Sequence, residues 1–171
     1  LYCIITLFGP ISGAHFNPVV TLAFLLRGEM MATTAIFFIV SQIVGGVCGV
    51  WLVHLMFDQP ILQISQTSRT GLNIWSSEVL ATFGLLLVVF GGLAHNPKSI
   101  PAMVGVYITG AYWFTSSTSF ANPAVSIARS LSDTFSGIAP NHVPMFVLCQ
   151  GIGLIIGIVI IKIIFTDKTK F

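Results

Sequence analysis

"GAHFNPVVTLAF" occupies residues 13–24, and "SFANPAVSIAR" occupies residues 119–129. One Asn-Pro is an ordinary turn signal. Two in matched surroundings call for a shared cause. When Asn17 is laid over Asn122, "NPVVTLAFLL" (17–26) overlies "NPAVSIARSL" (122–131). Asn and Pro repeat, and Val20, Thr21, Leu22, Ala23 and Leu26 pair with Val125, Ser126, Ile127, Ala128 and Leu131. A slightly longer offset matches Phe38, Gln42, Gly45 and Gly49 to Phe146, Gln150, Gly153 and Gly157. The chain therefore reads as two copies of one unit.

The segment behind each Asn-Pro is apolar for about ten residues, then turns polar at Arg27-Gly28-Glu29 and at Ser132-Asp133. Ten helical residues cover about 15 Å, half of a bilayer core of about 30 Å. Two such half-helices entering from opposite faces would meet start to start at the midplane. Asn is a favoured helix N-cap, and Pro suits the first helical position because its missing N–H would be unpaired there anyway. Each capping Asn then presents its amide NH₂ outward. Asn17 and Asn122 would offer paired donors, backed by two positive helix ends of about half a charge each. Such a site favours neutral solutes with lone pairs and opposes cations, protons included. Irregular backbone before each Asn is allowed at that depth only where it lines a wet cavity.

Composition agrees with a membrane setting. The 171 residues are 55% hydrophobic and 7% charged, with a mean hydropathy of +0.96. A soluble domain carries about a quarter charged residues. A net charge of +2 from so few groups argues against a nucleic-acid partner. Cys3, Cys48 and Cys149 sit in apolar runs without metal-ligand spacing, so they read as small core or lipid-facing residues, and no metal or cofactor is expected.

Four apolar segments, 33–57, 74–94, 101–118 and 143–165, are each near spanning length. The nine residues up to the Gly9-Pro10 break, Gly9 included, are too few to span and read as the tail of a helix that breaks there. Ile74 precedes Asn122 by 48 residues while 16 precede Asn17, so symmetry expects about 32 further residues ahead of Leu1. We read one transmembrane domain over 1–171, with 1–57 closing the first repeat and 74–165 forming the second. Three spans per repeat invert the second copy, with the site between them at the midplane. Alternating loops place Arg27, Lys98, Lys162, Lys168 and Lys170 on one side, and Arg69 and Arg129 on the other. The basic excess marks the first side as cytoplasmic.

Gly13-Ala14-His15-Phe16-Asn17-Pro18-Val19 and Ser119-Phe120-Ala121-Asn122-Pro123-Ala124 resemble the two signature loops of the aquaporin (major intrinsic protein) family. The resemblance implies an all-α membrane protein: a right-handed bundle of six helices with two half-helices and inverted repeats. Its first helix and most of its second fall before Leu1. It also implies one pore per protomer, a homotetramer, and no enzymatic activity. Carbonyls of Gly13, Ala14, His15, Thr118, Ser119 and Phe120 would form an acceptor ladder along that pore. A multi-pass bacterial inner (plasma) membrane protein is expected, its partners being lipid, water and small neutral solutes.

The chain departs from the family pattern at the selectivity filter, where Val125 stands in place of the usual Arg, beside Ser119 and Gly110. Glycerol channels tend to carry Gly where water channels carry His. A wider, less charged constriction follows, although Gly110 could equally serve close helix packing. Val19, in place of the usual Ala, implies small repacking with conduction kept. The stretch 122–140 resembles a bacterial subgroup with Val at that filter position, in which some members pass arsenite as As(OH)₃. Arg129 lies one turn beyond Val125 and is a candidate outer-mouth charge; the alternatives are snorkelling or pairing with Asp133.

Glu78, near the start of a membrane helix, is matched in the family by a Glu that accepts from backbone amides of the second loop. Gln42 and Gln150 are expected to bond the half-helix loops, and His15 to be a positioned loop residue. His54, His95 and His142 read as interfacial helix-end residues. A secondary transporter would need an ion-coupling carboxylate near the midplane, and Glu78 is the only acid inside any span. A non-conducting structural membrane protein is the other alternative.

Overall fold

The computed structural model describes residues 1–165, so Lys168 and Lys170 lie outside the described residues. Seven α-helices carry the architecture: α1 (Tyr2–Ser12), α2 (Pro18–Leu26), α3 (Ala32–Met56), α4 (Leu72–His95), α5 (Ile100–Phe114), α6 (Pro123–Arg129) and α7 (Val143–Ile164). Short 3₁₀ turns at Pro97–Ser99 and Pro140–His142 lead into α5 and α7. Among the described residues the fold is all-helical and aquaporin-like. Three of their helical stretches are long and apolar enough to cross a membrane: Ala32–Met56, Leu72–His95 and Pro140–Ile164.

Two of the expected boundaries are corrected. Helix α1 does not break at Gly9-Pro10 but runs through both to Ser12. The residue before a proline is normally kept out of helix by clashes that involve its Cβ. Gly9 has none, so the turn continues until Gly13 ends it at φ 75°, its N–H returning to the Gly9 carbonyl. The apolar stretch 101–118 is also shorter as a helix than expected. Helix α5 has 15 residues and stops at Phe114. Hydroxyls then take over the backbone: Thr115 Oγ1 donates to the Ala111 carbonyl at 2.6 Å, and Ser116 Oγ donates to the Asn73 carbonyl at 3.0 Å. Ser and Thr compete with helical pairing in this way.

Helices α2 and α6 have 9 and 7 residues, so each reaches only part way through a bilayer. Both start at an extended Asn cap (Asn17 φ −154°, Asn122 φ −159°) followed by Pro. Helix α6 packs on α3 and α7, and α2 on the same two helices, so the half-helices sit between the closing spans of both repeats. The most extensive helix pair is α4 with α7. Gly153 makes their approach possible: a Cβ there would stand 2.6 Å from the Val79 carbonyl oxygen and 2.8 Å from Thr82 Cβ. Close backbone approach through small residues is how membrane helices gain contact, since lipid supplies no hydrophobic drive between them. The core runs through Val19, Ala23, Leu86, Phe90 and Ile161 on α2, α4 and α7. Phe37, Val44, Leu52, Ile155 and Val159 face outward from α3 and α7, as lipid-facing residues would.

The connector 58–71 is strapped to the 130–142 loop. Ser65 N–H donates to the Ser130 carbonyl at 2.9 Å, Gln66 N–H to Asp133 Oδ1 at 2.8 Å, and Ala139 N–H to the Thr67 carbonyl at 2.8 Å.

Candidate functional site: two Asn-capped loops meeting end to end

The two Asn-Pro loops have the same backbone. Gly13, Ala14 and Phe16 have φ of 75°, 48° and 48°, while Thr118, Ser119 and Ala121 have 62°, 49° and 46°. The left-handed residues fall at corresponding positions of the two repeats, and His15 and Phe120 are the exceptions in both. Five of the six are not glycine, and such residues cost about 1–3 kcal/mol each unless the surroundings hold them.

The holding groups are visible. Asn17 Oδ1 accepts from Val19 N–H at 2.9 Å, and Asn122 Oδ1 accepts from Ala124 N–H at 3.0 Å and Val125 N–H at 3.3 Å. Each amide also crosses to the other loop: Asn17 Nδ2 donates to the Ala121 carbonyl at 2.7 Å, and Asn122 Nδ2 to the Phe16 carbonyl at 2.9 Å. An amide NH₂ has two N–H groups. One from each Asn is spent on this seam, which leaves one rather than both for a solute.

Below the second loop lies Glu78, fully buried in the second turn of α4. Its Oε1 accepts from Phe120 N–H and its Oε2 from Ala121 N–H, both at 2.9 Å. Gln150 Nε2 is the carboxylate's third donor, bonding Oε2 at 2.7 Å, and also reaches Ser126 Oγ at 3.0 Å. In the first repeat, Gln42 Nε2 donates to Thr21 Oγ1 at 3.0 Å, and His15 Nδ1 lies 3.2 Å from the same hydroxyl. The His15 ring stacks on Phe24 with centroids 4.5 Å apart. The two glutamines thus grip equivalent positions of the two half-helices.

Two cavities adjoin the loops. One of about 1020 Å³ lies among α3, α6 and the 132–136 loop. One of about 240 Å³ lies among both loops, α2, α4 and α5, and Gly13, Ala14, His15, Asn17, Ser119 and Phe120 border it. Four residues line both cavities: Phe16, Asn122, Val125 and Arg129. The two cavities adjoin at these four residues.

Several expected residues sit differently. Gly110 is exposed on α5 and lines neither cavity; among the described residues a Cβ there would meet only the Phe114 ring, 3.9 Å away. Ser119 borders the smaller cavity, but its Oγ is buried without a hydrogen-bond partner among the described residues. Arg129 does not pair with Asp133, whose carboxylate holds the connector through Gln66; the guanidinium lies 4.4 Å from the Phe120 ring centroid instead. His54 is at a helix end, as expected, but does not face outward. It is buried, with Nδ1 2.9 Å from the Ile61 carbonyl and Nε2 2.9 Å from Ser132 Oγ.

Arg69 was not singled out by sequence beyond its side of the membrane. It is 9% exposed and donates to the carbonyls of Gly137 (2.7 Å), Phe135 (3.0 Å) and Ser117 (3.2 Å), with its guanidinium 4.9 Å from the Phe120 centroid. Its partners lie far along the chain, so no local motif could signal it. Burial draws the guanidinium below its ordinary range and Glu78 and Tyr112 pull it back up. An arginine so placed stays charged at neutral pH.

The comparisons with known proteins agree with this geometry. Residues 1–115 match the family model described as "Major intrinsic protein". The chain is 44% identical over 162 residues to aquaglyceroporin AqpS of Rhizobium meliloti, a match covering 95% of this chain and 70% of that protein. It is 26% identical to mouse aquaporin-5, covering 92% of this chain and 61% of that one. It is 27% identical to the glycerol uptake facilitator protein-like 6 of Lactiplantibacillus plantarum, covering 87% and 73%. The paired Asn-capped loops and these matches together establish that the chain belongs to the major intrinsic protein family.

Proposed function

We propose that this protein forms a passive transmembrane pathway for water and small neutral solutes of glycerol size, with ions and protons excluded. The observation that carries it is the meeting of two half-helix N-termini, joined through Asn17 and Asn122, beside cavities that adjoin at Phe16, Asn122, Val125 and Arg129. Positive helix ends and a free amide N–H at that point favour lone pairs and oppose cations. A relative called an aquaglyceroporin and another called a glycerol uptake facilitator support a polyol-sized solute. Val125 in place of a filter arginine supports a wider constriction, which would also admit As(OH)₃, a molecule shaped much like glycerol.

On this proposal Asn17-Pro18-Val19 and Asn122-Pro123-Ala124 are the pore motifs. Gly13, Ala14, His15, Thr118, Ser119 and Phe120 supply the carbonyl ladder, and Glu78 holds the second loop. The protein would work as a homotetramer in a bacterial plasma membrane, with the Arg27 and Lys98 side in the cytoplasm. Among the described residues Glu78 is poorly placed for ion coupling, because its oxygens are already occupied by three donors.

Stopped-flow light scattering on proteoliposomes tests this, comparing water, glycerol and As(OH)₃. Fast glycerol or arsenite flux of low activation energy, suppressed by Val125→Arg, is the expected result. No flux above empty vesicles would refute a channel, and uptake that needs an ion gradient would favour a transporter.

A further inference from the structure

Phe120 carries two guanidiniums against one ring, Arg69 at 4.9 Å and Arg129 at 4.4 Å from its centroid. The two are used differently. Arg69 spends its N–H groups on three loop carbonyls, which makes it a fastener. The Arg129 side chain makes no hydrogen bond or ion pair among the described residues, and Asp133, the carboxylate one turn along, is turned to Gln66. Arg129 is half-buried and borders both cavities, so its five N–H donors lie where the cavities adjoin, on the passage that the proposed channel requires, with no protein acceptor to saturate them. The ring keeps it there: a guanidinium on an aromatic face gains about 0.5–2 kcal/mol, and Phe120 is itself fixed by Glu78 below and by Phe146 at 5.2 Å.

The charges around this ring do not cancel. Arg69 and Arg129 are positive and Glu78 is the carboxylate beneath them, which leaves one positive charge in excess. Val125, one helical turn before Arg129, lines the same passage and contributes no charge. Phe16 and Val125 make it apolar on one part, and Asn122 and Arg129 make it donor-rich on the other.

We infer that Arg129 is the specificity-determining residue of this passage. It repels cations and donates hydrogen bonds to the hydroxyls of a neutral polyol, whose carbons lie against Phe16 and Val125. This inference rests on the channel reading above. It differs from that reading in assigning exclusion to one side chain rather than to the helix ends alone.

Proteoliposomes bearing the full chain give the test. Glycerol flux is read by light scattering, and proton and potassium leak by an enclosed pH dye under an imposed potassium gradient with and without valinomycin. Arg129→Gln should raise cation leak by about tenfold or more, a conservative figure for removing a unit charge within several ångströms at intermediate dielectric, and should slow glycerol relative to water. Arg129→Lys should keep cation exclusion while losing part of the glycerol preference. In the Arg129→Gln background, Val125→Arg should restore exclusion, and Arg129→Lys keeps the test open if Arg129→Gln does not fold. Leak unchanged in Arg129→Gln with glycerol flux intact would overturn the inference and leave the channel standing. Absence of glycerol and water flux in the unsubstituted protein would remove the channel reading itself, and the inference with it.

Discussion

Gln150 Nε2 donates to Glu78 Oε2 across 2.7 Å, tying α7 to α4 directly beneath the second Asn-Pro loop. Both residues are fully buried, and the other Glu78 contacts are the N–H groups of Phe120 and Ala121. Ala121 is left-handed at φ 46°, so the carboxylate stabilises a conformation the chain would otherwise leave.

Glu78→Gln is the sharpest probe of that tie. It is nearly isosteric but replaces one acceptor oxygen with an NH₂ that faces N–H donors. Hydrogen bonds to charged groups contribute about 1.5–3 kcal/mol each, and leaving a buried donor unpaired costs about 1–3 kcal/mol. We expect a loss of about 3 kcal/mol or more, seen as a lowered melting temperature in nanodiscs, together with reduced water flux. A variant that melts and conducts like the parent would show that the loop holds its shape without the carboxylate.

This fixing group was legible in the sequence because membrane carboxylates are rare and Glu78 is the only one in a span. The half-helices were legible for a similar reason, since Asn-Pro states both the cap and the first helical position. Helix ends were harder. The sequence 115–118 is hydroxyl-rich and could extend α5, and the bond that draws Ser116 away from the helix goes to Asn73, 43 positions distant. Arg69 and His54 were opaque because their partners stand 48 to 78 positions away, or across a loop of no special composition. The placement of Gly110 depends on how α5 rotates against its neighbours, which periodicity in a uniformly apolar helix does not fix.

Arg69 anchors three carbonyls with one planar fork. A lysine keeps the charge but has a single ammonium and cannot reach the Gly137, Phe135 and Ser117 oxygens together. Arg69→Lys is therefore expected to lower stability by about 1–3 kcal/mol and to loosen the 58–71 connector. Limited proteolysis should cut that connector faster than in the parent, and equal cutting rates would count against the anchoring role.

Two glycines of α7 should respond in opposite directions. At Gly153 a methyl group would meet the Val79 carbonyl oxygen at 2.6 Å, whereas at Gly151 nothing lies within 4 Å. Gly153→Ala must push α7 away from α4, at a cost of about 1–3 kcal/mol. Gly151→Ala should be neutral or gain about 0.5–1 kcal/mol from the better helix former. Thermal unfolding of the two variants in one detergent compares them directly, and similar midpoints would contradict the close α4–α7 contact.

Asn17 performs two tasks that different substitutions separate. Its Oδ1 caps α2 through Val19 N–H, and its Nδ2 bonds the Ala121 carbonyl of the other loop. Asn17→Asp retains the capping oxygen and sets a carboxylate against that carbonyl, while Asn17→Ala removes both. If capping alone mattered, Asp would be benign and Ala would cost about 1 kcal/mol. If the seam between the loops matters, Asp is the worse of the two, because an oxygen faces an oxygen where a hydrogen bond stood, and its negative charge also weakens cation exclusion at the passage. We expect the second pattern in both melting temperature and proton leak. Asn17→Ala combined with Asn122→Ala should cost less than the sum of the single changes, since either one alone already opens the seam; full additivity in that double-mutant cycle would mean the two loops are held independently.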